Sequence, residues 1–210
     1  MNIYTIKKTK KIFSCDDSKW DEINALNVDC FPWGVNGYKP NTIVRIVYSD
    51  LGFCVKMETD ETPLLARFTE DNSLVCKDSC MEFFFGGNQT GDYLNFEFNP
   101  NGAMLLGVGD GRENRTLINF DRDLFDIESA VSDGKWALKF FIPFEFSNQY
   151  FAKPIGVSLK HTTEFYGNFY KCGDETDHPH WGCWNKIATK QPDFHQPEFF
   201  GKFILLQEAL

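Results

Sequence analysis

Short apolar runs separated by clusters of Gly, Asn and Asp recur along the chain. This punctuation is typical of β-strands joined by turns, and several of the runs alternate apolar with polar residues. Trp136, Leu138, Phe140 and Ile142, for example, are predicted to face one side of a strand. The predicted strands are 43–48, 52–58, 79–86, 92–98, 102–108, 135–142, 155–162 and 202–207.

Helical signals are confined to one place. The segment Ser18-Lys-Trp-Asp-Glu22 is predicted to form a capped single turn, and no later window keeps a helical apolar period over three turns. Many short strands close best as two packed sheets. We therefore predict an all-β fold, a two-sheet antiparallel β-sandwich of the jelly-roll type with few short helical turns.

Alternation also indicates where the polar side chains of segments 80–85 and 93–99 project. In segment 80–85, Met81, Phe83 and Phe85 are predicted to face the core, which leaves Glu82 and Phe84 on the opposite face. In segment 93–99, the predicted core residues are Leu94, Phe96 and Phe98, and the opposite face takes Tyr93, Asn95, Glu97 and Asn99. If the runs pair as a hairpin, Glu82 lies near Asn95 or Glu97.

A sheet face with Asn, Glu and Tyr offers hydrogen-bonding groups for sugar hydroxyls and a ring for the apolar side of a sugar. An ordinary solvated face is the alternative, because polar residues outside are the default. Glu82 and Glu97 also raise the hypothesis of a glycan-active enzyme, which needs two carboxylates about 5 to 9 Å apart. No nucleophile-elbow, Walker, Rossmann or zinc-protease motif accompanies them.

The segment from Asn168 to Trp184 is polar and aromatic, and we predict a long loop there. Its Cys172, His178, His180 and Cys183 could be taken as a zinc set, but C-x5-H-x-H-x2-C is not a usual ligand spacing. The alternative is a loop folded back on the sandwich with Cys172 buried.

Composition narrows the class of protein. The 210 residues, 42% hydrophobic and 24% charged, are predicted to form one globular domain, 1–210, and the 22 Phe suit β-rich packing. A net charge of −9 argues against nucleic acid as a partner. No run is long enough to span a membrane.

The N-terminus shows no apolar signal segment, so we expect a cytoplasmic protein, or a secreted or cell-surface one if a signal peptide has been removed. The seven cysteines are odd in number and scattered, which predicts reduced residues in the core.

Four motifs follow one another between residues 78 and 201. They are Asp78-Ser-Cys-Met-Glu82, Tyr93-Leu-Asn-Phe-Glu-Phe-Asn-Pro-Asn-Gly102, Asn168-Phe-Tyr-Lys-Cys-Gly-Asp174 and Pro192-Asp-Phe-His-Gln-Pro-Glu-Phe-Phe-Gly201. Together they resemble the family 9-like carbohydrate-binding modules, and the similarity runs from about Trp20 to the C-terminus. The resemblance implies a β-sandwich that binds a mono- or oligosaccharide, at a sugar terminus held between two tryptophans in xylanase-linked members.

The resemblance also implies roles for individual residues. Glu82, Asn95 and Glu97 match sugar-contacting positions, and Lys160 falls where those members have a glutamine. Cys76 and Phe194 stand at the positions of the two tryptophans. We therefore predict a ring surface at Phe194 with His195 beside it, and a second ring from Tyr170, Trp181 or Trp33. Core packing is the alternative for each aromatic residue.

Calcium ions that hold loops are a further implication of the resemblance. Asp60, Asp71 and Asp174 are the candidates, although no EF-hand spacing is present. The main prediction is thus a non-catalytic carbohydrate-binding domain. A glycan-active enzyme and a protein-interaction module that has lost sugar binding are the alternatives, the second because a cysteine stands at a clamp position.

Overall fold

Thirteen β-strands dominate the computed structural model, which describes residues 1–34, 36–156 and 162–209. The strands are β1 (Ile3–Lys8), β2 (Leu26–Asn27), β3 (Thr42–Tyr48), β4 (Gly52–Thr59), β5 (Cys80–Gly86), β6 (Tyr93–Phe98), β7 (Met104–Gly109), β8 (Thr116–Leu117), β9 (Glu128–Ser132), β10 (Lys135–Pro143), β11 (Glu164–Gly173), β12 (His180–Cys183) and β13 (Gly201–Ala209). The helical pieces are α1 (Phe144–Ser147) and 3-10 turns at Ser18–Glu22, Val75–Lys77, Arg122–Phe125 and Pro197–Phe199.

The strands pair in the order β8-β7-β6-β5-β11-β13-β1-β3-β4-β10-β9, with β12 beside β11 and β2 beside β3. This path curls so that its two halves stack face to face, and the predicted β-sandwich is confirmed. The prediction of purely antiparallel pairing is wrong in one place, because β1 runs parallel to both β13 and β3. The predicted helical turn is a 3-10 turn, capped by Asp17, whose side chain accepts from the Lys19 amide.

Phenylalanine rings fill the space between the two halves. Phe98 of β6 lies 4.5 Å from Phe140 of β10, measured between ring centroids, and Phe83 stacks on Phe169 of β11 at 4.1 Å. The row of alternating residues predicted for β10 is fully buried, as expected. The core faces assigned from alternation to β5 and β6 are therefore confirmed.

The opposite face of β5, β6 and β11 is covered rather than solvated, which corrects the expectation of an open polar face. Phe84, Tyr93 and Tyr170 from these strands join Trp33 and Phe194 from the connecting segments in a second hydrophobic cluster. The polar residues of this face are buried beneath the same segments. The alternation identified the face, but only the long connections decide that it is enclosed.

The segment Asn168 to Trp184, predicted as a long loop, is mostly the hairpin of β11 and β12. Polar residues inside β11 hid the strand pattern because their partners are distant in sequence. The Asn168 side chain, for example, donates to the Asn185 carbonyl and accepts from the Asn185 amide, both at 2.8 Å. The predicted strand 155–162 falls largely outside the described residues, and so does Lys160.

Two further predictions concerned the state of the cysteines and the presence of membrane spans. All seven cysteines are free, and Cys54, Cys80, Cys172 and Cys183 are buried. Among the described residues there is no helix with the length and apolar character needed to cross a membrane.

Candidate functional site

A cavity of about 790 Å³ opens over the covered face of β5, β6 and β11. Its floor includes the carboxyl groups of Glu82 and Glu97 and the thiol of Cys172. Aromatic side chains line it from three separate segments, namely Trp33, Trp181 and Phe194. The cavity thus combines apolar rings with buried polar groups, which is the usual make-up of a small-molecule site.

The indole rings are anchored by their own N–H groups. Trp181 Nε1 donates to Asp174 Oδ1 at 2.7 Å, and Trp33 Nε1 donates to the Thr189 carbonyl at 2.9 Å. Phe194 is fixed from behind, because Tyr170 stacks on its ring at 4.1 Å and donates its hydroxyl to the Phe194 carbonyl at 3.1 Å. The rings are therefore held in place before any ligand arrives.

Glu82 and Glu97 face each other directly in the pairing of β5 with β6. Asn95 Nδ2 and Arg115 Nη1 both donate to Glu97 Oε1, at 3.0 and 2.8 Å, whereas Glu82 Oε1 accepts from the Cys172 thiol at 3.0 Å. Burial raises the pKa of both carboxyl groups, and the neighbouring Glu97 raises that of Glu82 further. Since Arg115 favours a charged Glu97, Glu97 is the ionised member and Glu82 holds the proton.

A glycine makes room for this arrangement. Gly107 of β7 lies opposite Asn95 of β6. A Cβ atom at Gly107 would lie 2.6 Å from Asn95 Oδ1 and 2.9 Å from Arg115 Cδ. Any larger residue there would displace the two side chains that hold Glu97.

The protonated state of Glu82 predicts a pH-dependent stability. The folded chain keeps the Glu82 proton above the group's ordinary pKa of 4.5, where the unfolded chain has lost it, so stability falls as pH rises through that window. We expect Glu82→Gln to remove this contribution and to raise Tm at pH 8 by about 2–4 °C, roughly 1 kcal/mol for a chain of this size.

Melting curves of the wild type and Glu82→Gln at pH 4.5 and pH 8 measure this difference, with the exposed Glu22→Gln as the control. The gain should shrink at the lower pH because Glu82 is then protonated in both states. A gain of the same size at both pH values would show that Glu82 is not the titrating group.

The His195 ring lies between Tyr93 and Arg115, the arginine that binds Glu97. Its Nδ1 lies 2.7 Å from the Tyr93 hydroxyl and its Nε2 lies 3.3 Å from Arg115 Nη1. Burial and the charge of Arg115 lower its pKa to about 3, so the ring is neutral at physiological pH. Because Arg115 can only donate, Nε2 is the acceptor and the proton sits on Nδ1, facing Tyr93.

A second ion pair closes the rim. Arg112 donates through Nε and Nη2 to Asp193 Oδ1, at 3.1 and 3.0 Å, and the same oxygen accepts from the His195 amide. The Arg112 side chain is 52% exposed, so this pair lies at the solvent boundary. Its function in the structure is to hold the turn that presents Phe194 and His195.

The structure brings five of the sequence-predicted site residues to the cavity, namely Glu82, Glu97, Phe194, His195 and Trp181. Two others lie behind it: Asn95 positions Glu97, and Tyr170 is buried against Phe194. Trp33, one of the ring alternatives, also lines it. Lys160 lies outside the described residues, and its predicted role stays a prediction.

Sequence reasoning missed Arg112, Arg115 and Asp193. The two arginines lie between β7 and β8, in a stretch without periodic pattern, and nothing in their spacing links them to Glu97 or Asp193. Asp193 stands inside one of the motifs quoted above, which was the only available signal.

The residues of the hypothetical zinc set do not share a site. Cys172 contacts Glu82, and Cys183 Sγ lies 3.4 Å from the Cys30 carbonyl oxygen. His180 Nε2 lies 3.1 Å from Lys171 Nζ, and its Nδ1 lies 2.7 Å from the His178 carbonyl. Burial and Lys171 lower the His180 pKa to about 3.

The three calcium candidates also have separate protein partners. Asp60 accepts from the Asn41 amide, Asp71 from Arg122 and the Met104 amide, and Asp174 from Trp181. Among the described residues, none of these carboxylates belongs to a group of three or more ligands close enough to share one ion. Calcium requires about six to eight oxygen ligands, and its binding stays a prediction from the resemblance.

Comparison with known proteins identifies the family. The model of carbohydrate-binding family 9 matches residues 16–205. The chain belongs to carbohydrate-binding family 9. No curated protein matches it.

Solved structures agree with this family membership. A Bacteroides uniformis protein, provisionally described as carbohydrate-binding, is 26% identical with a TM-score of 0.82, over 97% of this chain and 99% of that one. A family 9 module from Caldicellulosiruptor kristjanssonii in complex with glucose is 13% identical with a TM-score of 0.68, over 99% of this chain and 97% of that one. Its complex with cellotriose gives the same identity and TM-score, over 99% of this chain and 95% of that one. At 13% identity, these two complexes support the shared fold.

Proposed function

We propose that this family 9 chain binds a mono- or oligosaccharide, without catalysis, in the cavity over β5, β6 and β11. The observation that carries the proposal is the meeting of three anchored aromatic side chains with a pair of buried carboxyl groups in one cavity. A sugar needs both features, because its hydroxyls require directional partners and its C–H faces require apolar cover. The C. kristjanssonii module of the same fold is in complex with glucose and with cellotriose.

The charges around the cavity favour a neutral sugar. Its lining includes Glu97, Asp174 and Asp193 on the acidic side, and Arg112, Arg115 and Lys190 on the basic side. Glu97 and Asp193 are already paired with arginines. Because the two signs balance, a charged sugar would gain little over a neutral one.

The arrangement of the carboxyl groups favours binding over hydrolysis. Glycosidases place two carboxyl groups on opposite sides of the scissile bond. Glu82 and Glu97 emerge from directly paired positions of one sheet face, so both approach a ligand from the same side. Glu97 is also engaged by Arg115 and Asn95. Glu82, protonated, can both donate to and accept from a sugar hydroxyl.

Isothermal titration calorimetry against a panel that includes glucose, xylose and cellotriose tests the proposal. We expect a dissociation constant between micromolar and millimolar, about −4 to −8 kcal/mol, for at least one neutral sugar. Glu82→Ala and Trp181→Ala should each weaken binding about tenfold or more, through a lost hydrogen bond and a lost ring contact.

Matched variants separate the pocket from general effects. Glu22→Ala removes an exposed carboxylate from the 3-10 turn Ser18–Glu22 and should bind normally. Trp181→Phe should recover part of the affinity lost in Trp181→Ala. If Glu82→Ala and Trp181→Ala bind like the wild type, the site lies elsewhere. If no sugar binds at millimolar concentration, the protein-interaction alternative takes its place.

A further inference from the structure

Two thiols and a carboxyl group meet at the floor of the cavity. Cys80 and Cys172 face each other directly across the pairing of β5 with β11, and Glu82 follows two residues after Cys80 on the same face. The two sulfur atoms and a carboxyl oxygen of Glu82 all lie within 4.8 Å of one another. We propose that Cys80, Cys172 and Glu82 form a binding site for a thiophilic divalent cation such as Zn²⁺ or Cd²⁺.

The spacing of the three ligand atoms suits tetrahedral coordination. Zinc bonds of about 2.3 Å to sulfur and about 2.0–2.2 Å to oxygen place tetrahedral ligand atoms roughly 3.5–3.8 Å apart. The Cys172 thiol donates to Glu82 Oε1 at 3.0 Å. Replacing this hydrogen bond with an ion requires the two atoms to separate by less than 1 Å.

The proposed metal site is open to the cavity on one side and buried in the protein on the other. Glu82 and Cys172 line the cavity, whereas Cys80 is fully buried behind them. An ion that enters from the cavity thus finds three protein ligands, and its fourth position faces the open space. Three protein ligands and one open position are the pattern of an accessible zinc site, whereas closed four-ligand sites are structural.

The three ligands hold their protons until a cation displaces them. Burial, Glu82 and Glu97 raise the pKa of Cys80 to about 12, and the hydrogen bond with Cys80, burial, Glu82 and Asp174 raise the pKa of Cys172. Metal binding must displace these protons, so it should weaken as pH falls. Lys171 on β11 acts in the opposite direction, but its ammonium is paired with Glu61. On coordination the two thiol protons and the Glu82 proton leave to solvent, so the bound ion faces three anionic ligands.

This chemistry differs from that of the family's calcium ions, which take oxygen ligands. It also differs from the zinc set considered from sequence, since it uses neither histidine nor Cys183. Glu82 is shared with the proposed sugar contact, but the metal titration uses no sugar, so metal binding and sugar binding can fail separately.

A titration of the full chain with Cd²⁺ tests the site. The protein is first reduced with a phosphine and stripped of metal, and its free thiols are counted so that a Cys80–Cys172 disulfide is excluded. We expect the ultraviolet absorption of a thiolate–cadmium bond to rise to saturation at one ion per chain. Zn²⁺ added to the cadmium form should displace this signal.

Variants assign the ligands. Cys80→Ser and Cys172→Ser should each lose the signal, and Glu82→Gln, which keeps shape and volume, should weaken Cd²⁺ binding about tenfold or more. Cys183→Ser is the matched control, because Cys183 is equally buried and faces Cys30 across its own bridge. It should titrate like the wild type.

Circular dichroism of each variant verifies that it folds, and Glu82→Gln carries the test if a cysteine variant does not. Absence of a thiolate signal in the wild type overturns the proposal. A signal that survives in Cys172→Ser and Glu82→Gln but disappears in Cys183→Ser assigns the ion to the other cysteine pair and overturns it as well.

Discussion

Replacing Arg115 with methionine is expected to destabilise the chain by about 3–5 kcal/mol at pH 8, because the substitution leaves a buried carboxylate without its counter-charge. Glu97 is 3% exposed, and Arg115 supplies the cation 2.8 Å from its Oε1. The Asn95 amide would stay, but an amide does not neutralise a charge. Methionine keeps much of the apolar stem of arginine, so lost packing contributes little.

The destabilisation should depend on pH in a defined direction. The pKa of Glu97 is already raised by burial, and removal of Arg115 raises it further. The variant can therefore take up a proton on Glu97 as pH falls. Its destabilisation relative to the wild type should be smaller at pH 5 than at pH 8. Urea unfolding at the two pH values measures both the loss and its pH dependence.

Arg112→Met provides the control for this prediction. Arg112 forms a comparable pair with Asp193, but at the exposed rim, where ion pairs contribute about 0–1 kcal/mol. Equal losses for Arg115→Met and Arg112→Met, unchanged between pH 5 and pH 8, would contradict the assignment of a buried charge to Glu97.

Replacing Lys171 with methionine should also destabilise the chain by about 3–5 kcal/mol. Lys171 Nζ lies 2.5 Å from Glu61 Oε2 and donates to the Cys172 carbonyl at 2.8 Å, and both charged side chains are fully buried. The same ammonium lies 3.1 Å from His180 Nε2, so it connects β11 with the hairpin strand that carries Trp181. Its loss leaves Glu61 as an uncompensated buried charge.

A double-mutant cycle distinguishes this cause from lost packing. Glu61→Gln alone should also be strongly destabilising, but Lys171→Met combined with Glu61→Gln should regain most of the loss, because no unpaired charge remains. Guanidinium unfolding of the four proteins gives the coupling free energy. Additive losses would mean that the Lys171–Glu61 pair is not a coupled buried ion pair.

The strands with clear alternation could be predicted from sequence, and the strands with buried polar residues could not. In β5, β6 and β10 every second residue forms an unbroken apolar row, so both the position and the inward face of each strand were predictable. In β11, Asn168 and Lys171 break the pattern, and each is satisfied only by a partner distant in the chain. Short strands such as β8 offer too few residues for any period.

The site shows the same division. Alternation placed Glu82 and Glu97 on one face, and the structure pairs them directly. What alternation cannot provide is the cover over that face, because it comes from segments such as 185–200 whose path depends on tertiary packing. Arg115 reaches Glu97 from such a segment, and so the neutralising charge of the site was invisible in the sequence. The pattern of residues alone did not distinguish a sugar-binding face from an ordinary solvated face. The family resemblance supplied the function class.

A crystal structure of the chain with the sugar that binds best in calorimetry would locate the ligand. We expect a sugar ring in the cavity, hydrogen-bonded to the Glu82 carboxyl group and in contact with at least one ring of Trp33, Trp181 and Phe194. A sugar ordered elsewhere, for instance in the adjoining cleft that Gln89 and Glu198 line, with the main cavity free of sugar, would contradict it.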